Sequence, residues 1–375
     1  MAMEHLRWRP TVNERDFIER ALQSDLRVDG RNSFDFRTLK ITFGREDGTS
    51  EVQLGETHVM AYVTAQLVQP YWDRPNEGTL AIFTEFSPMA DPAFEAGRPG
   101  ESAIELGRVI DRGLRPSRAV DMESLCVVAG RHVWSVRVDL HILDNGGNLI
   151  DAANIAALAA LSTFRRPECT VGGDDGQQVI VHDPEVRDPI PLTIHHMPIA
   201  VTFAYFGEGN IVVLDPTYKE EAVMGGRVSA TINSNGDVCA IQKAGVEGVM
   251  SGVIMQCLRI ASVKAADITS KIKKAVKLCI SPAQASCRRP QQHRQHPILV
   301  QERQTSLAPP DSAPMVEASS EEDAQPVTES SNAEAKSTSS TGAIGESDEA
   351  QEIGSPKSLK DAIKPKHKRK KKVAG

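Results

Sequence analysis

A chain of 375 residues, 40% of them hydrophobic, holds enough apolar material for one large domain or two medium ones. Its formal net charge of −7, from 43 Lys and Arg against 50 Asp and Glu, conceals strong segregation along the sequence. Six scattered cysteines with no C-x-x-C pair argue against a disulfide framework or a cysteine metal site, and no apolar run is long enough to span a bilayer. With no signal peptide ahead of the first helix, the expectation is a soluble intracellular protein without membrane contact.

Thr11-Val12-Asn13-Glu14 fits a capping box, and the stripe Phe17, Ile18, Ala21, Leu22 predicts a short amphipathic helix to about Ser24. From Phe36 to Leu67, "RTLKITFG", "TSEVQLGE" and "THVMAYVTAQLV" read as an antiparallel meander punctuated by Gly44, Gly48 and Gly55. A strand near Leu80 to Phe86 leads into a Pro- and Gly-containing loop that carries Arg98 and is expected to be exposed. Glu101 to Leu114 reads as a helix whose pattern brings Arg108, Arg112 and Arg115 near one face.

Strands near Leu125–Val128 and Val133–Ile142 follow, the second alternating Trp134, Val136, Val138, Leu140 and Ile142 with polar residues. Asp144-Asn145-Gly146-Gly147 breaks the chain, and the alanine-rich stretch from Asp151 predicts a helix buried on all sides. A turn that delivers a helix N-terminus has the shape of a phosphate cradle, since the first amides lack internal partners. Here Asn148, Leu149 and Ile150 supply no cation, and Asp151 is expected to cap the helix and repel an arriving anion.

The segment "GGDDGQQVIVHDPEVRDPIP" reads as a polar connection. Beyond it, "TIHHMPIAVTFAYF", "NIVVLDPT" and "GRVSATINSNGDVCAIQKAG" precede an amphipathic helix from about Gly248 to Ala275, repeating the order of strands followed by a helix. The expected division is 1–29 as N-terminal helix and lead-in, 30–166 and 190–280 as two similar halves, 167–189 as their connection, and 281–375 as a tail. That tail is rich in Ser, Glu, Pro, Gln and Lys with almost no aromatic residues, the composition of a disordered segment. Its serine-rich acidic block, Glu317 to Glu352, offers sites to serine kinases. The run Lys364, Lys366, Lys368, Arg369, Lys370, Lys371, Lys372 reads as a nuclear localisation signal or as nonspecific RNA attachment, and the two are compatible.

Taken together, "RVDGR" (27–31), "GETHVMAYV" (55–63), "ELGRVIDRGLRPS" (105–117), "VDLHILDNGGNLIDAANIAALAAL" (138–161) and "LDPTYKEEAVMGG" (214–226) carry a resemblance. Over about residues 11 to 278 the chain resembles the RNase PH-like subunits of the eukaryotic RNA exosome. That resemblance implies a mixed α/β (α+β) RNase PH-like fold, two β-α-β-type halves of the ribosomal protein S5 domain 2-like kind. It also implies a six-membered ring around an RNA-threading channel, with other RNase PH-like subunits, S1/KH-type cap subunits, associated nucleases and single-stranded RNA as partners. Nucleus, nucleolus and cytoplasm are the expected locations.

Active members cleave RNA from the 3' end with phosphate as the attacking group, which needs cations to hold phosphate and carboxylates to position a divalent metal. Where they carry a Thr/Ser-Arg pair after the double glycine, this chain has Asn148-Leu149, and where they carry an arginine three residues before a helical glutamate, it has Ser102. Asp215 matches their first acidic position and Glu221 stands where the second aspartate would be. The resemblance therefore implies a pseudo-enzyme of the exoribonuclease family, kept for assembly, with no cofactor or resident metal; an active phosphate-dependent exoribonuclease and an adaptor without RNA contact are the alternatives. Arg98, Arg108, Arg112 and Arg115 are the RNA-binding candidates, against salt bridges to Asp111, Glu105 or a neighbouring subunit. The adjacent His195 and His196, read as strand residues pointing to opposite faces, do not suggest shared metal ligation.

Overall fold

A computed structural model describes residues 9–94, 97, 100–172, 178–207, 209–245 and 248–280. The chain divides into Met1–Pro297 and Ile298–Gly375, and every described residue belongs to the first unit. Arg98, the tail 281–375 and its basic run lie outside the described residues.

The first helix, α1 (Val12–Gln23), begins at the expected capping box, with Thr11 Oγ1 accepting from Glu14 N (3.3 Å) and Glu14 Oε2 from Thr11 N (2.8 Å). Its buried Ile18 and Leu22 join Ala204, Phe206, Val213 and Val223, so the N-terminus is anchored on the C-terminal half. The meander is β1 (Leu39–Phe43), β2 (Thr49–Leu54) and β3 (Thr57–Val68), antiparallel in register Val52↔Val59 and Ile41↔Val52. It is followed in sequence by β4 (Thr79–Phe86), α2 (Glu101–Leu114), a 3-10 turn Glu123–Leu125, β5 (Cys126–Val128) and β6 (His132–Asp144). The sheet order is β1-β2-β3-β6-β4, with β5 also on β6. Among the described residues the only parallel pair is β4 with β6, because α2 carries the chain back across the sheet between them.

Helix α3 (Leu149–Thr163) lies between this sheet and the next, and its alanines 152, 153, 156, 157, 159 and 160 are fully buried. Small side chains let backbones approach: Ser50 of β2 donates to Ala156 O (2.8 Å) and Ala200 N donates to Asn154 Oδ1 (2.9 Å). After α3 come the short strands β7 (Arg165–Arg166), β8 (Cys169–Gly172), β9 (Gln178–Val181) and β10 (Ile190–Pro191). β8 and β9 pair as a hairpin inside the stretch read as plain connection, where Val179, Ile180 and Val181 supply a short β-branched run.

The second sheet, in the order β12-β11-β13-β14, is wholly antiparallel: β11 (Ile199–Phe206), β12 (Ile211–Leu214), β13 (Gly226–Ile232) and β14 (Val238–Gly245). Every residue of β11 is buried, in keeping with its mostly apolar sequence. The short α4 (Tyr218–Val223) follows β12, and α5 (Ser251–Ile280) packs through Cys257, Ala261, Ala265, Ile268 and Ile272. α5 ends five residues later than its sequence pattern suggests. His195 and His196 precede β11 in irregular backbone rather than on a strand, and His195 N donates to Ala119 O (2.8 Å). One cluster of buried residues runs through both sheets, α3 and α5. Among the described residues, no helix is long and apolar enough to cross a membrane.

Candidate functional site at the double-glycine turn

The turn between β6 and α3 fits only glycine. Gly147 has φ +89°, and a Cβ there would overlap the backbone of Thr217 and Tyr218. A Cβ on Gly146 would press against Glu56 at 2.8 Å. The turn is thus pinned between the β2–β3 corner and the start of α4. Asn148 follows in the left-handed region (φ 53°), as does Asp215 (φ 53°), and the two meet: Asn148 Nδ2 donates to Asp215 Oδ1 at 2.6 Å. Asn and Asp tolerate this backbone better than other non-glycine residues.

Asp215 is fully buried and encircled by donors. Its Oδ2 accepts from Arg37 N (2.9 Å), Arg37 Nε (2.9 Å) and Arg31 Nη1 (3.0 Å), and its Oδ1 from Arg37 Nη2 (2.8 Å) as well as Asn148. Burial opposes ionisation, but the hydrogen bonds and charge of Arg37, with Asn148, outweigh it and hold the carboxyl below its ordinary range. Arg37 in turn uses its remaining N–H groups on Gly146 O (2.9 Å), Gly147 O (2.9 Å) and Thr57 Oγ1 (3.2 Å). Both ends of the pair are saturated.

A second clamp lies alongside. Arg27, 4% exposed, forks onto Glu220 through Nε–Oε1 (2.9 Å) and Nη2–Oε2 (2.5 Å), and its other donors reach Leu214 O and Asp215 O at 2.9 Å each. Arg27 and Arg31 are the two arginines of "RVDGR", so that motif ties the N-terminal lead-in to the β12–α4 corner. Sequence reasoning does not single out Arg37, because its partner is 178 positions away and no local pattern marks the pairing.

Asp151 does not cap α3. Fully buried, it turns toward β11 and accepts from Thr202 N (3.0 Å), Thr202 Oγ1 (2.8 Å) and Asn148 Nδ2 (2.8 Å). Burial pushes its carboxyl up to about 7, against the hydrogen bonds from Asn148 and Thr202 and with help from the nearby charge of Asp215. The anion that does meet the start of α3 belongs to Glu221, whose Oε1 accepts from Asn148 N at 2.9 Å. A carboxylate of the chain itself therefore occupies the helix N-terminus.

The two positions where the resemblance implies cations carry uncharged side chains, and Ser102 stands between Glu101 and Glu105 in sequence. Leu149 is half-buried in the first turn of α3, and Ser102 is exposed in the first turn of α2. Among the described residues, no group of three or more His, Cys, Asp or Glu side chains is placed to hold a metal ion. Arg108, Arg112 and Arg115 are exposed on α2; Arg115 bridges Asp111 (2.7 Å) and donates to Leu80 O (3.0 Å), while Glu105 pairs with Arg227 (2.8 Å). Arg108 and Arg112 form no ion pair with a described residue.

The two sheets, the double-glycine turn and the Asp215 corner coincide with the two domains of the 3' exoribonuclease family, domain 1 over residues 35–167 and domain 2 over 196–264. The chain belongs to this family. Within it, the chain is 69% identical over 269 residues to exosome complex component RRP45A of Arabidopsis thaliana, covering 72% of this chain and 88% of that one. To RRP45B of the same plant it is 68% identical over 78% of this chain and 66% of the relative, and to human RRP45 46% identical over 70% and 59%. The chain thus spans about three fifths to two thirds of the length of several of these relatives. Among solved structures, a chain of the Archaeoglobus fulgidus exosome with RNA bound to the active site is similar at 32% identity and TM-score 0.61, covering 69% of this chain and 97% of that one. An archaeal exosome core chain is similar at 30% identity and TM-score 0.58, over 70% and 96%.

Proposed function

We propose that the chain is a non-catalytic RNase PH-like ring subunit of the RNA exosome core, supporting 3'-to-5' processing and decay of rRNA, mRNA and nuclear RNA. The observation that carries this is Asp215: five donors surround its carboxylate, so it has no lone pair directed to a metal or substrate. Leu149 and Ser102 add no positive charge to hold an attacking phosphate. What the fold retains is a rigid body with an exposed guanidinium face on α2. In this reading the partners are other RNase PH-like ring subunits, S1/KH-type cap subunits, associated nucleases and a threaded single-stranded RNA. The names of the RRP45 relatives and the archaeal exosome chains support that setting.

The test is RNA affinity against salt concentration for assembled rings carrying wild-type chain or Arg108→Gln, Arg112→Gln, Arg115→Gln together. The logarithmic salt slope should fall by roughly one unit for each phosphate that the variant ring no longer neutralises. An unchanged slope in intact mutant rings would assign α2 to solvation or assembly and favour an adaptor. Residence in nucleus, nucleolus and cytoplasm belongs to the same proposal, with the basic run Lys364–Lys372 as import signal; an unchanged distribution of a tagged chain lacking it would refute that role.

A further inference from the structure

Trp72 is 94% exposed and its neighbour Tyr71 67%, making them the most exposed aromatic side chains among the described residues. Their segment, 69–78, joins β3 to β4 and is fastened rather than loose. Gly78 N donates to Met122 O (2.9 Å), Gly130 N to Pro75 O (2.9 Å) and Arg74 N to Tyr71 O (3.1 Å). Two large rings thus stand in water on a turn tied to the rest of the fold, leaving apolar faces open to a partner.

The charge beside them indicates which partner. A groove of about 490 Å³ at the foot of the turn is lined by Leu67, Val68, Gln69, Arg131 and His132, with Arg131 exposed. The hydrogen bond from Arg115 to Leu80 O puts the C-terminal end of α2, with Arg112, at this same end of the sheet. Within the turn Arg74 bridges Glu77 (3.3 Å) and stands 3.9 Å from Asp73, so the cations free to meet phosphate come from Arg131 and α2 rather than from the turn itself. Cations flanking exposed aromatic rings constitute the chemistry of single-stranded nucleic-acid sites, where phosphates meet guanidinium groups and bases stack on rings.

We propose that Tyr71 and Trp72 form a base-stacking platform for single-stranded RNA, with its phosphates met by Arg131 and by the Arg112–Arg115 end of α2. This rests on the reading of α2 as part of an RNA path and extends that path to residues outside the double-glycine site. Because stacking is not ionic, the platform and the arginines leave different signatures in salt dependence.

The experiment uses the ring assembled with the full chain and an RNA substituted with 5-iodouridine, irradiated to join iodinated bases to adjacent aromatic side chains. Crosslinks are expected at Trp72 or Tyr71. Trp72→Ala should weaken RNA binding about tenfold with an unchanged salt slope, and Trp72→Phe should restore most of it. Arg112→Gln with Arg115→Gln should instead make the slope shallower. Absence of crosslinks together with unaltered affinity in Trp72→Ala would overturn the platform; a slope that still responds to the arginine variants would leave the RNA path standing, and one that does not would remove both. Failure of Trp72→Ala to enter the ring, with no crosslink at either aromatic in the wild-type ring, would assign the pair to a protein interface and also overturn the platform.

Discussion

Two sets of three arginines show opposite uses of the same side chain. Arg27, Arg31 and Arg37 lie in or beside the double-glycine site, with their donors directed at Asp29, Asp215, Glu220 and nearby carbonyls. Arg108, Arg112 and Arg115 stand exposed on α2, and of these Arg115 is the one with an ion pair to a described residue. Burial makes the difference: a guanidinium out of water must satisfy every N–H with protein, whereas one in water remains available to a ligand. A group of arginines close to the double-glycine turn can therefore serve mainly to hold the two halves of a fold together.

The largest effects should follow from breaking the buried set. Arg37→Ala leaves Asp215 without its principal counter-charge and frees the glycine turn, so a loss of about 3–5 kcal/mol is expected in denaturant unfolding. Asp215→Asn should cost stability of the same order, by leaving the buried Arg37 without a counter-charge, while Arg31 keeps its ion pair with Asp29 (2.6 Å); a variant as stable as wild type would mean that the cluster is not a clamp. The triple glutamine change on α2 should shift stability by about 1 kcal/mol or less, because its one ion pair is exposed. Equal losses from the two sets would erase the comparison.

A finer test exploits Asp151. Its carboxyl is raised from 3.8 to about 7 on folding, so between those values the folded chain binds a proton that the unfolded chain does not. Stability contributed by this group is full below 3.8, falls as pH rises to about 7, and stays reduced above. Asp215 acts oppositely and in a lower window, its contribution disappearing as pH falls below the ordinary aspartate value through its depressed one. Asp151→Asn should flatten the upper window and raise stability at neutral pH by about 1–2 kcal/mol, Thr202 Oγ1 accepting from the new amide while donating to Ser229. A variant less stable than wild type at neutral pH would show that the charged form is the preferred one. Among the smallest expected effects is deletion of 281–375, whose composition lacks the apolar residues to join a core; it should leave the melting temperature nearly unchanged.

Much of the fold is readable in the sequence because local chemistry marks it. The capping box at Thr11, the alternation through β6 and the alanine-rich α3 each carry their own signal within a few residues. Asp151 misleads for the same reason: an acidic residue in the first turn normally serves the helix end, but α3 is buried on all sides and its carboxylate is drawn to Thr202. The hairpin β8–β9 is obscured by its polar surroundings. The pairing of Arg37 with Asp215 has no local signal, since nothing in either segment encodes a pairing across 178 positions. The absence of cations at Leu149 and Ser102 is legible only against a family pattern; the occupation of the helix start by Glu221 requires the folded chain.

The central claim is that the charges of this site hold the fold and perform no chemistry. Its most direct test is release of nucleoside diphosphates from RNA by the purified full chain in phosphate and magnesium, alone and with Glu221→Gln. The account predicts no phosphate-dependent release from either protein. Release by the wild-type chain that disappears in Glu221→Gln, a change that keeps an acceptor for Asn148 N, would contradict it.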